Sequence, residues 1–350
     1  MRIVNKEVLC IHRAPGSFSD RWIEYCSLNQ IPHKIIDCFA NDIIAQCANV
    51  QAVLWHWDLA SSVDKKFARS IITSLETMGI VVFPSIATCW HYDDKVAQKY
   101  LLEAIGAPIV PTFVFYNMDD AKRWAKNAQY PLVFKLRAGA SSSNVHFIPN
   151  WATARKHIVR SFSKGWSSIP GIFNDLGTKI KTKYTNRELT SALRRLPKAL
   201  YGGISHHKHE KEIGYIYFQE FLPDNTFDTR VTIIGNRAFS SRRFNRSRDF
   251  RASGSGMSDW DPNKINLKCI EVAYDVTHRI GAQSLAFDFL SDARGNPLIG
   301  EISYCYPVYA VYNCPGFWDP SLNWHPGHVW PQDAIIEDVI NSIEVGKSAR

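Results

Sequence analysis

The sequence of 350 residues contains no long apolar run, and this absence limits the classes of protein to which the chain can belong. A membrane-spanning helix needs about 18 or more consecutive apolar residues, and no segment supplies them. The first residues also lack the apolar core of a signal peptide. We therefore expect a soluble, cytoplasmic protein with no membrane span.

Paired cysteine motifs, low-complexity linkers and internal repeats are also absent. The eight cysteines are scattered along the chain with no Cys-x-x-Cys pair, which predicts buried free thiols rather than disulfides or a zinc site. An apolar content of 45% and a charged content of 21% allow a large core. For a chain of this length, they predict two or three lobes.

Two acidic residues lie inside short apolar segments that a polar turn connects. Asp288 lies in Ala-Phe-Asp-Phe-Leu, and Glu301 lies in Ile-Gly-Glu-Ile-Ser. The pattern predicts a hairpin that presents the two carboxylates side by side. Buried carboxylates need a positive partner, and a divalent cation such as Mg²⁺ that carries nucleotide phosphates takes oxygen ligands of this kind. Taken alone, the pattern also fits two surface carboxylates on an edge hairpin.

A second motif is an apolar strand that ends at Lys135 and runs into a loop of small residues. The loop includes Ser141, Ser142 and Ser143, and a further strand follows it. Backbone N–H groups and hydroxyls of such a loop can bind phosphate oxygens while Lys135 supplies positive charge. The loop is not a Walker loop, because no Gly-Lys-Ser/Thr closes it before a helix.

A third motif, Gln-Glu-Phe-Leu at residues 219–222, precedes an Asp-Thr-Arg strand at 228–230. From about Asp94 to Ser303, the order of lysine strand, small-residue loop, Gln-Glu-Phe-Leu linker, Asp-x-Arg strand and acidic hairpin resembles the ATP-grasp superfamily. The sequence is most similar to the branch that contains the ribosomal-protein glutamate ligases. The Asp-Thr-Arg segment and Phe-Arg-Ala-Ser-Gly at 250–254 both follow that branch's pattern.

The resemblance implies a fold, an activity and cofactors. The fold is α/β (α+β), with an N-terminal parallel-sheet domain over 1–90, a central lobe over 91–215 and a C-terminal lobe over 216–350, the two lobes clamping ATP. The activity is that of an ADP-forming carboxylate–amine ligase, which uses ATP and Mg²⁺ and passes through an acyl phosphate. Its expected partners are small-molecule carboxylates and amines, with an amino acid, a peptide or a sugar acid as acceptor.

The resemblance also implies roles for individual residues. The nucleotide-binding residues that it implies are Lys95, Lys135, Ser141, Ser142 and Ser143 at phosphates, Glu220, Phe221 and Leu222 at adenine, and Asp228 at ribose. The implied metal ligands are Asp288, Glu301 and Ser303, and the family usually has Asn at the position of Ser303. A serine hydroxyl is a shorter and weaker ligand than an amide oxygen. Arg230, Arg243 and Arg251 are the implied catalytic residues.

Much of the net charge of +8 is concentrated in two segments. Six arginines lie between residues 237 and 251, and we expect them to border the active site, where guanidinium groups can bind phosphate and anionic substrates. Seven lysines and arginines lie between 179 and 198 and are typical of a solvated helix face. Because no known nucleic-acid module is visible, we do not expect nucleic acid as a partner.

The first 90 residues alternate short apolar runs with segments long enough for helices, which predicts a parallel sheet covered on both faces. Ligands of open sheets bind at the carboxyl ends of the strands, so His12, Arg13, Ser17 and His56 are candidate substrate residues. The alternative is that the loop around His56 only packs. Tyr304 begins an aromatic, proline-rich segment that we expect to form a loop over the acceptor pocket, unless it packs on the C-terminal helix.

Two other functions stay open at this point. A kinase with the same fold would phosphorylate a hydroxyl of an anionic small molecule, and the arginine segment would serve such a ligand equally well. A noncatalytic nucleotide-binding module is the second alternative, if Ser303 prevents productive metal binding. The sequence does not determine the oligomeric state, and a homodimer is one option.

Overall fold

The computed structural model describes residues 9–57, 61–139, 144–167, 211–246, 250–252 and 256–348. Contacts divide the chain into two compact units, residues 1–110 together with 222–350, and residues 111–221. The division into three parts after residues 90 and 215 therefore stays a prediction. In the described part of the chain, every helix is too short or too polar to cross a membrane.

The first unit begins with a parallel sheet of four strands in the order β2-β1-β3-β4. Its strands are β1 Leu9–His12, β2 His33–Ile36, β3 Ala52–Leu54 and β4 Val81–Phe83. The helices that follow its strands are α1 Phe18–Leu28, α2 Ile43–Gln46, α3 Ser62–Thr77, α4 Ile86–Cys89 and α5 Lys95–Ala104. The four apolar runs thus form the parallel sheet that the sequence predicts.

Helix α3 buries a different face from the one that its large apolar residues suggest. The helix spans Ser62–Thr77, but its large apolar residues Val63 and Phe67 are exposed. The buried row is instead Ala68, Ile72 and Leu75. These residues follow helical spacing equally well, so the period predicted the helix but could not select between two adjacent rows.

The second unit is a four-stranded antiparallel sheet in the order β5-β10-β6-β7 with two helices. Its elements are β5 Thr112–Phe115, α6 Met118–Asn127, β6 Leu132–Lys135, β7 His146–Ile148, α7 Trp151–Phe162, β8 Trp166–Ser167, β9 Lys211–Glu212 and β10 Ile216–Glu220. Helices α6 and α7 cover one face and bury Phe134 and Phe218 between themselves and the sheet.

The first unit also contains a seven-stranded sheet in the order β15-β14-β11-β12-β16-β17, with β13 paired to β12. Its strands are β11 Phe227–Ile234, β12 Arg237–Phe244, β13 Ser258–Asp259, β14 Ser284–Ser291, β15 Pro297–Ser303, β16 Gly316–Trp318 and β17 Trp324–Pro326. Its helices are α8 Leu267–Ile280, α9 Tyr309–Tyr312 and α10 Pro331–Ser348. Helix α8 buries Cys269 and Val276 in one core with Phe287 and Ile302, so it backs the acidic hairpin.

The aromatic segment after the hairpin does not form a loop over the site, and that expectation is wrong for residues 316–326. Strands β16 and β17 extend the sheet instead, with Trp318 paired to Ala238. The Tyr274 hydroxyl donates to the Trp318 carbonyl at 2.7 Å, which fixes this edge to α8. Ala238 lies near the start of β12, six residues from the end that carries Phe244. The tryptophans therefore pack in the core at the other end of this strand.

Candidate active site

Four neighbouring strands of the seven-stranded sheet carry charged side chains on one face. Asp228 on β11 lies opposite Arg243 on β12. Arg230 on β11 lies opposite Asp288 on β14, and Asp288 lies opposite Glu301 on β15. Residues directly opposite each other in an antiparallel sheet point to the same side. The five side chains therefore share one face, which we call the charged face.

The alternation of each strand explains why this face stays polar. Val231 and Ile233 on β11, and Phe287 and Phe289 on β14, are buried in the core on the other side. Since side chains of a strand alternate between its two faces, the residues between them must point to the charged face. The acidic hairpin is confirmed, with its two carboxylates side by side.

A β-bulge at Gly300 sets the relation between the two carboxylates. Asp288 pairs with Glu301, whereas the next residue, Phe289, pairs with Ile299, so Gly300 is an extra residue in β15. A Cβ atom at Gly300 would lie 3.3 Å from the backbone oxygen of Asp288. Bulges occur beside active sites, where they change the direction of a side chain.

Two arginines bind the aspartates of the charged face through paired hydrogen bonds. Arg230 donates from Nε and Nη2 to the two oxygens of Asp288 at 2.8 and 3.0 Å. Arg243 donates in the same way to Asp228 at 2.7 and 2.6 Å. The Nη2 atom of Arg243 also lies 2.7 Å from Asp288 Oδ2. Arg243 thus connects the two aspartates, and the four side chains form a neutral network.

The two aspartates of this network differ in pKa. Burial, together with the charge of Asp288, raises the pKa of Asp228 to about 6 against the opposing bonds from Arg243. Burial alone would also raise the pKa of Asp288, but Arg230 and Arg243 outweigh it and hold that pKa well below its usual range. At neutral pH, Asp288 is therefore the firmly ionised member of the pair.

The raised pKa of Asp228 predicts a pH dependence of stability. A carboxyl with an ordinary pKa of about 4 in the unfolded chain and about 6 in the folded protein binds its proton more tightly when folded. Between about pH 7 and pH 5, the wild type should therefore gain about 1 kcal/mol in free energy of unfolding relative to Asp228→Asn. Urea unfolding of both proteins at the two pH values measures this difference. A constant difference, or a gain in the opposite direction, would contradict the proposed pKa.

Lys95 lies against the acidic hairpin. It is the first residue of α5, whose N-cap Asp94 accepts hydrogen bonds from the backbone N–H groups of Val96 and Ala97. Its side chain is buried, and its Nζ lies 3.0 Å from Glu301 Oε1. The buried side chain of Gln98, which we did not predict, accepts from the backbone N–H of Ile302 at 3.3 Å and fixes the helix to β15.

The donor chemistry of Asp288 and Glu301 fits a magnesium ion. Mg²⁺ in nucleotide sites is usually bound by one or two carboxylates, with phosphates and waters completing the octahedron. Within the described ranges, no group of three or more His, Cys, Asp or Glu could hold a metal alone. A pair of adjacent carboxylates is therefore a site that needs oxygen atoms from a ligand to complete it.

Other residues predicted for nucleotide binding lie elsewhere or outside the described residues. Ser141, Ser142 and Ser143 lie outside the described residues. Lys135 ends β6 opposite Tyr217, and Glu220 ends β10 with an exposed side chain. The ring of Phe221 contacts Phe147 with centroids 5.2 Å apart. The nucleotide-binding roles of these residues, and of Leu222, stay predictions.

Ser303 and Arg251 have backbone contacts that differ from their predicted roles. The Ser303 hydroxyl donates to the Cys305 carbonyl at 2.8 Å and accepts from the Cys305 N–H at 3.2 Å. The carbonyl of Arg251 accepts from the N–H of Arg246 at 3.3 Å. The roles of Ser303 as metal ligand and of Arg251 as catalytic residue stay predictions, and we leave Ser303 out of the candidate metal pair.

The arginine segment does not border the charged face as a whole. Arg237 binds Glu337 at 3.2 Å and Asp338 at 3.0 Å on α10. Arg242 points to the opposite side from Arg243 and binds Asp259 at 2.6 Å. The expectation that these two line the site is wrong. Arg242 points away because adjacent strand residues point to opposite faces, and Arg237 lies at the other end of β12, six residues from Arg243. Arg248, the second basic segment at 179–198 and the serine loop fall outside the described residues.

The candidate substrate residues at the carboxyl end of the parallel sheet make local contacts. His12 Nδ1 accepts from the Cys38 N–H at 2.9 Å. Ser17 caps α1, and its hydroxyl accepts from the Ser19 N–H. Arg13 is exposed, with its Nε 3.4 Å from Asp20. Their role with substrate stays a prediction.

Two further candidates, His56 and Tyr304, meet where the parallel sheet adjoins the end of β15. The Tyr304 hydroxyl donates to the Trp57 carbonyl, and the rings of Tyr304 and His56 have centroids 6.3 Å apart. Cys305, predicted as a buried thiol, is partly exposed next to His56. Its position could have been read from the spacing of two residues that relates it to Glu301 and Ser303.

Comparison with known proteins gives structural relatives only. No protein-family model matches the sequence, and a search of curated proteins found no match. The ATP-grasp ligase PsnB, solved with minimal precursor, Mg and ADP, is similar with a TM-score of 0.56 and 11% identity, covering 97% of this chain and 99% of that chain. A RimK-domain ATP-grasp protein from Sphaerobacter thermophilus has a TM-score of 0.53 and 12% identity, covering 95% and 99%.

A third similar structure is the biotin carboxylase of Campylobacter jejuni, with a TM-score of 0.56 and 14% identity, covering 94% of this chain and 70% of that chain. Because these likenesses span almost the whole chain, they define its fold. The protein has the ATP-grasp fold, which the order of its motifs implied.

Proposed function

We propose that the protein is an ATP-dependent carboxylate–amine ligase that activates its carboxylate as an acyl phosphate. The charged face carries this proposal, because three cationic and three acidic side chains converge there on four strands and one helix. Similar structures support it, since the ATP-grasp ligase PsnB was solved with Mg and ADP and with AMPPNP. The proposed cofactors are accordingly ATP and Mg²⁺.

The chain's own residues divide the work of phosphoryl transfer. Asp288 and Glu301 would hold the magnesium, which supplies positive charge at the phosphates when bound. Arg230 and Arg243 can donate paired hydrogen bonds to phosphoryl oxygens, and Lys95 adds a compact charge beside Glu301. Such positioning and charge stabilisation account for most of phosphoryl-transfer catalysis.

The network of the charged face implies an exchange of partners. Asp288 is held by two guanidinium groups, and it must give up at least part of these bonds to bind a cation. Arg230 and Arg243 then become available for the negative oxygens of the nucleotide. The cation would replace the arginines as partner of Asp288, and the phosphates would replace Asp288 as partner of the arginines. Every charge then keeps an opposite charge beside it, so the site favours metal and phosphate together over either one alone.

Hydroxylamine trapping tests this proposal. The protein is incubated with ATP, Mg²⁺ and a panel of carboxylates that includes amino acids, dicarboxylic acids, uronic acids and short peptides. Hydroxylamine attacks an acyl phosphate, so at least one carboxylate should give a hydroxamate together with ADP. A carboxylate analogue that is reduced to the alcohol is the matched control and should give none.

The outcomes separate the candidate functions. Formation of a stable phosphomonoester without any hydroxamate would support a kinase instead of a ligase. Nucleotide binding without ADP release for any carboxylate would indicate a binding module. ADP release that needs both a carboxylate and an amine would support the ligase and identify its substrate class.

A further inference from the structure

The chain that leaves the acidic hairpin continues the alternation of β15 beyond the end of the strand. Residues 301, 303 and 305 are partly exposed, whereas residues 302, 304 and 306 are buried. Side chains two residues apart in an extended chain point the same way. Cys305 therefore lies on the partly exposed side of this segment, four residues after Glu301.

His56 lies across from Cys305. Its Nε2 is 3.7 Å from the Cys305 Sγ. The imidazole stacks on Phe18 with centroids 4.0 Å apart and planes 2° apart, and the side chain is 8% exposed. Trp22 contacts the ring edge-on at 6.4 Å. Aromatic packing thus holds the imidazole with Nε2 within hydrogen-bonding distance of the sulfur.

Two further contacts fix the backbone that carries the thiol. The Ser303 hydroxyl bonds to both the N–H and the carbonyl of Cys305. Between them, Tyr304 is buried and its hydroxyl donates to the carbonyl of Trp57, the residue after His56. The thiol and the imidazole are therefore positioned by neighbouring segments that are bonded to each other.

Cys305 differs from the other cysteines of the chain. All eight lie within the described residues; seven are buried, and Cys305 is partly exposed. Burial raises the pKa of the thiols of Cys26, Cys89 and Cys269. Buried thiols of this kind are inert, whereas an accessible thiol with an adjacent base is a typical nucleophile.

We propose that Cys305 and His56 form a nucleophilic thiol–imidazole pair that receives the acyl group from the acyl phosphate before the amine does. The inference rests on the proposed ligase function. The sulfur attacks the acyl carbon and forms a C–S bond, the C–O bond to phosphate breaks, and the thiol proton passes through His56 Nε2 to the leaving phosphate. The amine then attacks the thioester, the C–S bond breaks, and a proton from the amine returns through the same nitrogen to the sulfur.

Acetyl phosphate tests the pair without knowledge of the natural substrate. The full chain is incubated with acetyl phosphate and followed by intact-mass and peptide mass spectrometry. The wild type should gain one acetyl group at Cys305, and neutral hydroxylamine should remove it because a thioester, unlike an amide, reacts. His56→Gln should acetylate about 100-fold more slowly. Cys305→Ala should not acquire the hydroxylamine-labile group, and Cys26→Ala is the matched control that should behave as wild type.

Three results would overturn the pair. These are an unlabelled Cys305 in the folded wild type, equal labelling rates for wild type and His56→Gln, and alkylation of Cys305 by iodoacetamide no faster than that of free cysteine. The alkylation rate keeps the test decisive if His56→Gln folds poorly.

The ATP assay separates this inference from the ligase proposal. If both are right, Cys305→Ala still forms the hydroxamate from the acyl phosphate but loses amide formation. If Cys305→Ala forms the amide at the wild-type rate, the thiol step is wrong and the ligase stands. If neither protein forms a hydroxamate with any carboxylate, the ligase proposal itself fails.

Discussion

Asp288→Asn and Glu301→Gln should each reduce ATP-dependent turnover about 100- to 1,000-fold, the usual effect of removing one group that stabilises transition-state charge. Both changes keep the shape of the side chain but remove the charge that would hold magnesium, so the requirement for Mg²⁺ should rise as well. Steady-state ADP release over a magnesium titration measures both effects.

The two variants should differ in stability. Asp288 neutralises Arg230 and Arg243 in a partly buried network, so Asp288→Asn should also lower the free energy of unfolding, by about 1 to 3 kcal/mol. Glu301 is more exposed than Asp288, so Glu301→Gln should lower the free energy of unfolding by less. Asp275→Asn on the exposed side of α8 is the matched control, expected to leave turnover unchanged. Wild-type turnover of both hairpin variants at low magnesium would remove the hairpin from the metal site.

Arg243→Gln should impair stability and turnover together, because Arg243 binds two aspartates at once. Without it, Asp228 and Asp288 face each other with less compensation, and removing one partner of a buried charge network costs about 3 to 5 kcal/mol. Turnover should fall about 100-fold or more, since the proposed donor to the transferring phosphoryl group is lost. Urea unfolding and ADP release are the two measurements.

The neighbouring residue supplies a control on the same strand. Arg242 also binds a carboxylate, Asp259, but on the opposite side of β12. Arg242→Gln should therefore reduce stability and leave turnover near the wild-type value. Arg243→Lys keeps a positive charge but lacks the planar guanidinium that donates bidentate hydrogen bonds. The variant should therefore fold and still lose turnover. Equal turnover losses for the two glutamine variants would show that the effect is not specific to the charged face.

The sequence was sufficient for the parts of the fold that local patterns determine. The hairpin of Asp288 and Glu301 could be predicted because two acidic residues stand in apolar strands beside a turn. In helix α8, the buried residues Cys269, Ala273 and Val276 recur at helical spacing. For α3, two adjacent rows had the same spacing, and only the packed sheet selects between them.

Contacts between distant segments could not be predicted in the same way. The ion pair of Lys95 with Glu301 joins residues 206 positions apart, and the pair of His56 with Cys305 joins residues 249 positions apart. The arginine segment shows the same limitation, since its density of charge suggested one function for all its members. Strand alternation divides them, so that Arg243 reaches the charged face while Arg242 does not.

The bulge at Gly300 determines which face of the sheet the later side chains of β15 occupy. Counted from the buried Ile299, a regular pleat would turn Glu301 into the core and bring Ile302 to the charged face. The bulge adds one unpaired residue, so Glu301 points to the charged face and Ile302 points to the core. Glu301 and Ile302 both follow the bulge, so the same glycine determines which of the two side chains reaches the charged face. Without the bulge, a regular pairing would exchange the apolar and polar sides of the strand's end, placing the Glu301 carboxylate in the core.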